Sequence, residues 1–193
     1  TYTVPHAYFE PPDVKPYADR DWPDGEKRYA AMVTRGDSYA GRILAMLKEF
    51  NLEDNTLVVL TSDNGGSLPH AQNNDPWRDG KQSHYDGGLR VPLIVRWPGV
   101  AKPGTESAYA GQVFDLFATC LDGAGRPVPA DTDAVSLLPI LRGAPPPAAE
   151  RELYFVRREG GPQYGGRDYH ALVRGDWKLL QNTPYSPLEL YNL

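Results

Sequence analysis

The chain has 193 residues, of which 40% are hydrophobic and 23% charged, with a formal net charge of −5. That composition is ordinary for a globular chain, and the acidic balance argues against a nucleic-acid-binding surface while leaving room for a locally basic pocket. No apolar stretch is long enough to cross a bilayer, one cysteine excludes an internal disulfide framework, and 19 glycines with 19 prolines predict many loops. Residues 1–25 read as extended, rich in proline and tyrosine. A helix is predicted from Glu26 to Phe50, capped by Asp24, with Tyr29, Met32, Val33, Ala40, Ile43, Leu44 and Leu47 on one buried face. Asn51 suits a left-handed C-terminal cap. The run Thr56-Leu57-Val58-Val59-Leu60-Thr61 has no polar alternation, which predicts a strand buried on both faces and central in a parallel sheet. A polar loop covers residues 66–88, a second buried strand Val91–Trp97, and a helix Ala108–Asp122 ending at Gly123 and Gly125. Cys120 falls on that helix's apolar stripe with Val113, Leu116, Phe117 and Leu121, and reads as a small core residue.

The pattern then changes. Residues 126–150 form a transition with a short apolar segment, Leu137–Leu141. Leu153–Val156 reads as a strand. Ala171–Arg174 and Trp177–Leu180 read as a hairpin about the two-residue turn Gly175-Asp176. Strands alternating with helices, followed by antiparallel strands, predict an α/β fold with a smaller second subdomain.

The chemistry concentrates at the end of the first strand, where open α/β sheets bind ligands. There Ser62-Asp63-Asn64-Gly65-Gly66 offers a carboxylate and a carboxamide, both hard oxygen ligands for Ca²⁺ or Mg²⁺, with two glycines that permit a sharp turn. The same residues also suit a plain turn. Downstream lies Gly80-Lys81-Gln82-Ser83-His84-Tyr85-Asp86-Gly87-Gly88-Leu89-Arg90-Val91-Pro92. A loop lysine can reach an anionic oxygen as a compact point charge. His84 suits either pocket lining or a plain loop role. Asp37 and Asp115 read as helix-surface or capping residues, and Arg90 and Arg96 as partners of nearby carboxylates. His70 and His170 have no assigned role.

These stretches, in this order, resemble the second half of the sulfatase family. Val4-Pro5-His6, Gly41-Arg42-Ile43-Leu44, Asp115–Thr119, Val135–Pro139, Gly175–Leu179 and Glu189–Leu193 extend the resemblance over nearly the whole chain. It implies part of an alkaline-phosphatase-like doubly wound sheet. Residues 1–125 would be the C-terminal portion of the catalytic domain, 126–150 a transition, and 151–193 an incomplete antiparallel subdomain. It implies Asp63 and Asn64 as ligands of Ca²⁺, with Mg²⁺ as the alternative. It implies Lys81 and His6 as catalytic and substrate-binding residues, with His6 assisting the leaving group. Asp86 stands where the family has glutamate. The family's nucleophile is a formylglycine made from a cysteine near the N-terminus, and Cys120 does not lie in that motif. The nucleophile and two further metal-binding aspartates are therefore expected upstream, in an N-terminal half that acts as this chain's partner. The expected substrate is a sulfated small molecule or glycan. The compartment stays open, a periplasmic or secreted enzyme being compatible with the resemblance, and the 193 residues alone are expected to be inactive. A phosphoric or phosphonic ester hydrolase of the same superfamily, and a non-catalytic binding module, are the competing readings. Residues 66–79 and 157–169, with Trp77 and Tyr164, are the loops expected to shape a pocket.

Overall fold

The structure is a computed structural model that describes residues 10–70, 73–147, 151–158 and 168–193. The chain divides into two compact units, Thr1–Thr56 with Asn64–Val91, and Leu57–Asp63 with Pro92–Leu193. His6 and Tyr164 lie outside the described residues.

The first unit is built on helix α1, Asp24–Glu49. Pro23 occupies the N-cap, so Asp24 begins the helix rather than capping it; its carboxylate instead pairs with Arg28 one turn on, at 2.7 Å. The C-terminus closes as expected. Asn51 takes φ 56°, its N–H donates to Lys48 O, and Leu52 N–H donates to Leu47 O. This is the paired bonding of a Schellman cap. The predicted buried face is only partly covered. Ala31 is buried, but Val33 and Ile43 are each 43% exposed. Within the unit, α1 packs against the short 3₁₀ turns Lys15–Tyr17 and Glu53–Asn55, too little surface to cover a 26-residue helix. A four-residue helix α2, Asp86–Leu89, closes the unit.

The second unit opens with strand β1, Val58–Thr61. It pairs antiparallel with β2, Leu93–Arg96, in the register Val58↔Arg96 to Thr61↔Leu93. The expected parallel neighbour is not among the described strands. An apolar run states that both faces seek cover, whereas the direction of a neighbour is set by the connection. Leu60, Leu93 and Ile94 are exposed.

Helix α3 spans Asp115–Gly123, shorter than predicted because residues 108–114 are not helical. Gly125, at φ 66°, and Arg126 close it with bonds to Asp122 O and Leu121 O. Its buried side is Asp115, Ala118 and Thr119. The expected core stripe is therefore corrected: Cys120 is exposed, as are Val113 and Phe117. Rotation of the helix is set by Asp115, which is fully buried rather than a surface residue. Its carboxylate accepts from Arg151 Nη1 and Nη2 at 2.6 and 2.8 Å, from Gln112 N–H at 2.7 Å and from Val135 N–H at 2.9 Å. Asp115 is the first residue of α3, whose N-cap is Phe114, so its bond to Gln112 N–H ties back the turn before the helix rather than capping it, and a buried ion pair replaces the expected surface or capping role.

Thr119 continues the stitching. Its hydroxyl donates to Asp115 O and accepts from Leu137 N–H. That bond seats helix α4, Leu138–Leu141, whose Leu138 is buried. The transition segment thus docks on α3. Four strands follow: β3 (Glu152–Arg158), β4 (Asp168–Arg174), β5 (Trp177–Gln181) and β6 (Glu189–Asn192). They form one antiparallel sheet in the order β3-β4-β5-β6. The predicted hairpin is present, with Arg174 opposite Trp177 and Gly175 at φ 56° in the turn. One face carries buried Leu153, Ala171, Leu180 and Lys178.

Candidate active site

The turn after Asn64 and the loop bearing Lys81 meet within the first unit through direct backbone bonds. Gly65 N–H donates to Gly88 O at 3.0 Å, and Lys81 N–H donates to Gly66 O at 2.8 Å. Gly87 N–H donates to Arg78 O at 2.9 Å. Chains this close exclude side chains. A Cβ on Gly65 would lie 1.8 Å from Gly87 O, and one on Gly80 would lie 2.2 Å from Gly66 O. The glycines thus serve close approach rather than flexibility.

Asn74 ties the same junction by its side chain. Its Oδ1 accepts from Gly66 N–H at 2.9 Å, and its Nδ2 donates to Gly66 O at 2.8 Å and to Asp79 O at 2.9 Å. Sequence reading missed this residue. Its one signal was a place within Asn73-Asn74-Asp75-Pro76, and that composition suggests no more than a turn.

The loop's cations are arranged on aromatic rings. Arg78 lies 3.8 Å from the Tyr85 ring centroid and Arg90 lies 4.1 Å from that of Trp77. Arg90 also pairs with Asp86 at 2.7 Å, the carboxylate partner expected for it. Asp86 sits in the first turn of α2, and its shorter side chain still reaches the arginine one turn on. Lys81 is half-buried. His84 is 4% exposed, so its ring packs inside the loop instead of facing solvent.

Asp63 and Asn64 are consecutive, Asp63 closing a segment of the second unit and Asn64 opening one of the first. Asp63 is exposed, with Ser62 Oγ 3.4 Å from its Oδ1. Asn64 Nδ2 donates to Gly65 O at 2.8 Å. A carboxylate and a carboxamide oxygen fit a hard divalent cation in kind. In number they are a partial set, since Ca²⁺ takes about 6–8 oxygens. Among the described residues, no group of three or more His, Cys, Asp or Glu side chains is gathered. No helix among them is long and apolar enough to cross a membrane.

Residues 3–126 match the family model described as Sulfatase, and residues 75–193 match N-sulphoglucosamine sulphohydrolase, C-terminal. The chain belongs to the sulfatase family. N-acetylgalactosamine-6-sulfatase of Canis lupus familiaris is 38% identical over 136 residues, 67% of this chain and 26% of that protein. The crystal structure of Ps i-CgsB in complex with k-i-k-neocarrahexaose matches 99% of this chain and 42% of its own, with a TM-score of 0.87 and 29% identity. The phosphonate monoester hydrolase from Silicibacter pomeroyi matches 86% of this chain and 34% of its own, with a TM-score of 0.70 and 27% identity. The fold is therefore alkaline-phosphatase-like α/β with a smaller four-stranded antiparallel sheet. The chain spans about a quarter of the length of the curated relatives it matches.

Proposed function

We propose that the protein carrying this chain hydrolyses sulfate esters, with Asp63 and Asn64 holding a divalent cation, Lys81 and His6 acting on the substrate, and a formylglycine nucleophile supplied from outside these residues. The single observation that carries the proposal is the glycine junction. It holds the backbone of Lys81 by a 2.8 Å bond to Gly66, two residues beyond Asn64. The turn that follows Asn64 and the loop bearing Lys81 are thereby built as one piece, which supports this reading.

A sulfate monoester spreads negative charge over its non-bridging oxygens, and further charge develops on the leaving oxygen as its bond to sulfur breaks. A Ca²⁺ ion, or Mg²⁺, supplies positive charge against those oxygens when bound. The Lys81 ammonium group stabilises the charge on the leaving oxygen as a point charge. His6 donates the proton that oxygen needs, a task imidazole performs near neutral pH. His84, inside the loop, supports its shape; contact with a substrate requires its ring to be uncovered. The substrate class supported best is a sulfated saccharide, from the name of the Canis lupus familiaris relative and the saccharide bound in the Ps i-CgsB structure.

Peptide mass spectrometry on the natural protein tests the proposal, together with turnover of 4-nitrophenyl sulfate. A formylglycine peptide and sulfate release are expected. A serine or threonine nucleophile, with hydrolysis of a phenylphosphonate monoester, would replace the sulfatase reading by the second one, which the Silicibacter pomeroyi structure favours. Turnover by the 193 residues alone would overturn the expectation that the nucleophile lies elsewhere.

A further inference from the structure

We infer that Asn74 is a positioning residue for this site, setting the metal-ligand turn against the Lys81 loop; the inference rests on the sulfatase reading above. Its side chain spans the two pieces of chain that the chemistry needs in fixed relation. On one side it holds both backbone groups of Gly66, N–H to Oδ1 at 2.9 Å and O from Nδ2 at 2.8 Å. On the other it holds Asp79 O at 2.9 Å, two residues before Lys81.

Gly66 O is the shared point. It accepts from Asn74 Nδ2 and from Lys81 N–H, each at 2.8 Å. A carbonyl has two lone pairs, so these two donors saturate it. Asn74 uses one acceptor and both amide hydrogens in the cluster, a combination that carboxylate and hydroxyl side chains do not supply. The neighbourhood is fitted to the amide. Asp79 stands at φ 63°, and its Oδ1 accepts from Gly80 N–H at 2.8 Å. A Cβ on Gly80 would lie 2.7 Å from Asn74 Nδ2. The amide therefore fills a space kept open for it and ties both loop ends together.

The consequences separate from those of a general packing residue. Asn74→Asp keeps the acceptor for Gly66 N–H but sets a second carboxylate oxygen against two carbonyls. Asn74→Ser is too short to bridge. Both variants are made in the natural protein. Calcium binding is measured by titration calorimetry with CaCl₂, and kcat and KM with 4-nitrophenyl sulfate. Outer-shell partners of a metal site are worth roughly 10–100-fold in metal affinity, and a misplacement of about 1 Å costs roughly 100-fold in rate. The expected result is calcium binding at least tenfold weaker, with kcat about 100-fold lower and KM within a few-fold, in variants that remain folded by circular dichroism.

Folded variants whose calcium affinity and kcat both stay within threefold of the parent would overturn the inference. So would failure of both variants to fold, which would make Asn74 a scaffold residue of the whole unit. Lys81→Ala, measured alongside, separates the two levels. Parental kcat in that variant sinks the sulfatase reading of Lys81 itself. A large loss there, with none in the Asn74 variants, sinks only the positioning role.

Discussion

Arg151→Met removes the cation from the buried pair that orients α3. Asp115 is wholly buried and Arg151 is 17% exposed, so the carboxylate cannot turn to water while the arginine's place can admit some. Two bonds to a charged group are lost, each worth about 1.5–3 kcal/mol. The N–H groups of Gln112 and Val135 remain and offset part of the loss. About 3 kcal/mol at pH 7 is expected, at the lower end of the range of about 3–5 kcal/mol for breaking a buried pair. The assay is amide hydrogen exchange at Val135, whose N–H bonds directly to Asp115. At roughly 1.4 kcal/mol per factor of ten, its exchange accelerates about a hundredfold.

The pH dependence carries the sign. Burial by itself pushes the Asp115 carboxyl up; the bonds from Arg151, Gln112 and Val135 more than offset it and hold it below the usual range. A depressed folded value contributes stability that is present above the unfolded value of about 3.9 and lost as pH falls through the lower folded one. Protection in the parent is therefore constant between pH 7 and 5, once intrinsic exchange is corrected. Without Arg151 the burial effect gains weight and the carboxyl rises. The penalty is then full above the variant's raised value and shrinks as pH falls through it. An acceleration below threefold at pH 7 would refute this account of the pair.

Gly65→Ala places a Cβ 1.8 Å from Gly87 O, a backbone atom that cannot swing aside; a loss of about 1–3 kcal/mol or more by thermal unfolding is expected, with activity falling as the Lys81 loop shifts. Lys81→Met lowers kcat for 4-nitrophenyl sulfate by roughly 100–1,000-fold with little change in KM, the pattern of a group acting on charge in the transition state; a KM effect alone would count against that role. Asp63→Asn removes the charged member of the proposed metal pair and is expected to weaken calcium binding at least tenfold by calorimetry, while unchanged affinity would remove Asp63 from the proposed site. Gly123→Ala sets a methyl 2.2 Å from Trp97 Cη2 at the end of α3; about 1–3 kcal/mol is lost, and a second change, Trp97→Leu, restores part of it in a double-mutant cycle.

Local rules carried much of the molecule in the sequence. The apolar runs marked β1 and β2, Asn51 and Gly125 stood where helix caps need positive φ, and Gly175-Asp176 between the runs Ala171–Arg174 and Trp177–Leu180 marked the hairpin. The ordered motifs from Asp63 to Pro92 marked the family and the candidate site. Each of these signals is short-range: period, cap or turn chemistry acts within a few residues.

What failed in the sequence reading depends on neighbours far along the chain. The antiparallel pairing of β1 with β2 went unread rather than misread, because it is set by a connection of some thirty residues that hydrophobicity does not encode. The Asp115 reading missed its burial because Arg151, its partner, lies 36 positions away. Cys120 is exposed for the same reason: the ion pair, rather than the apolar stripe, fixes which side of α3 faces inward. Asn74 shows the limit most directly. Its residue type said only that it could donate and accept; its role came from three backbone groups that folding brings around it. Sequence determines which groups are present and which local conformations they favour, while tertiary structure decides which of them share a hydrogen bond, because that depends on through-space distance.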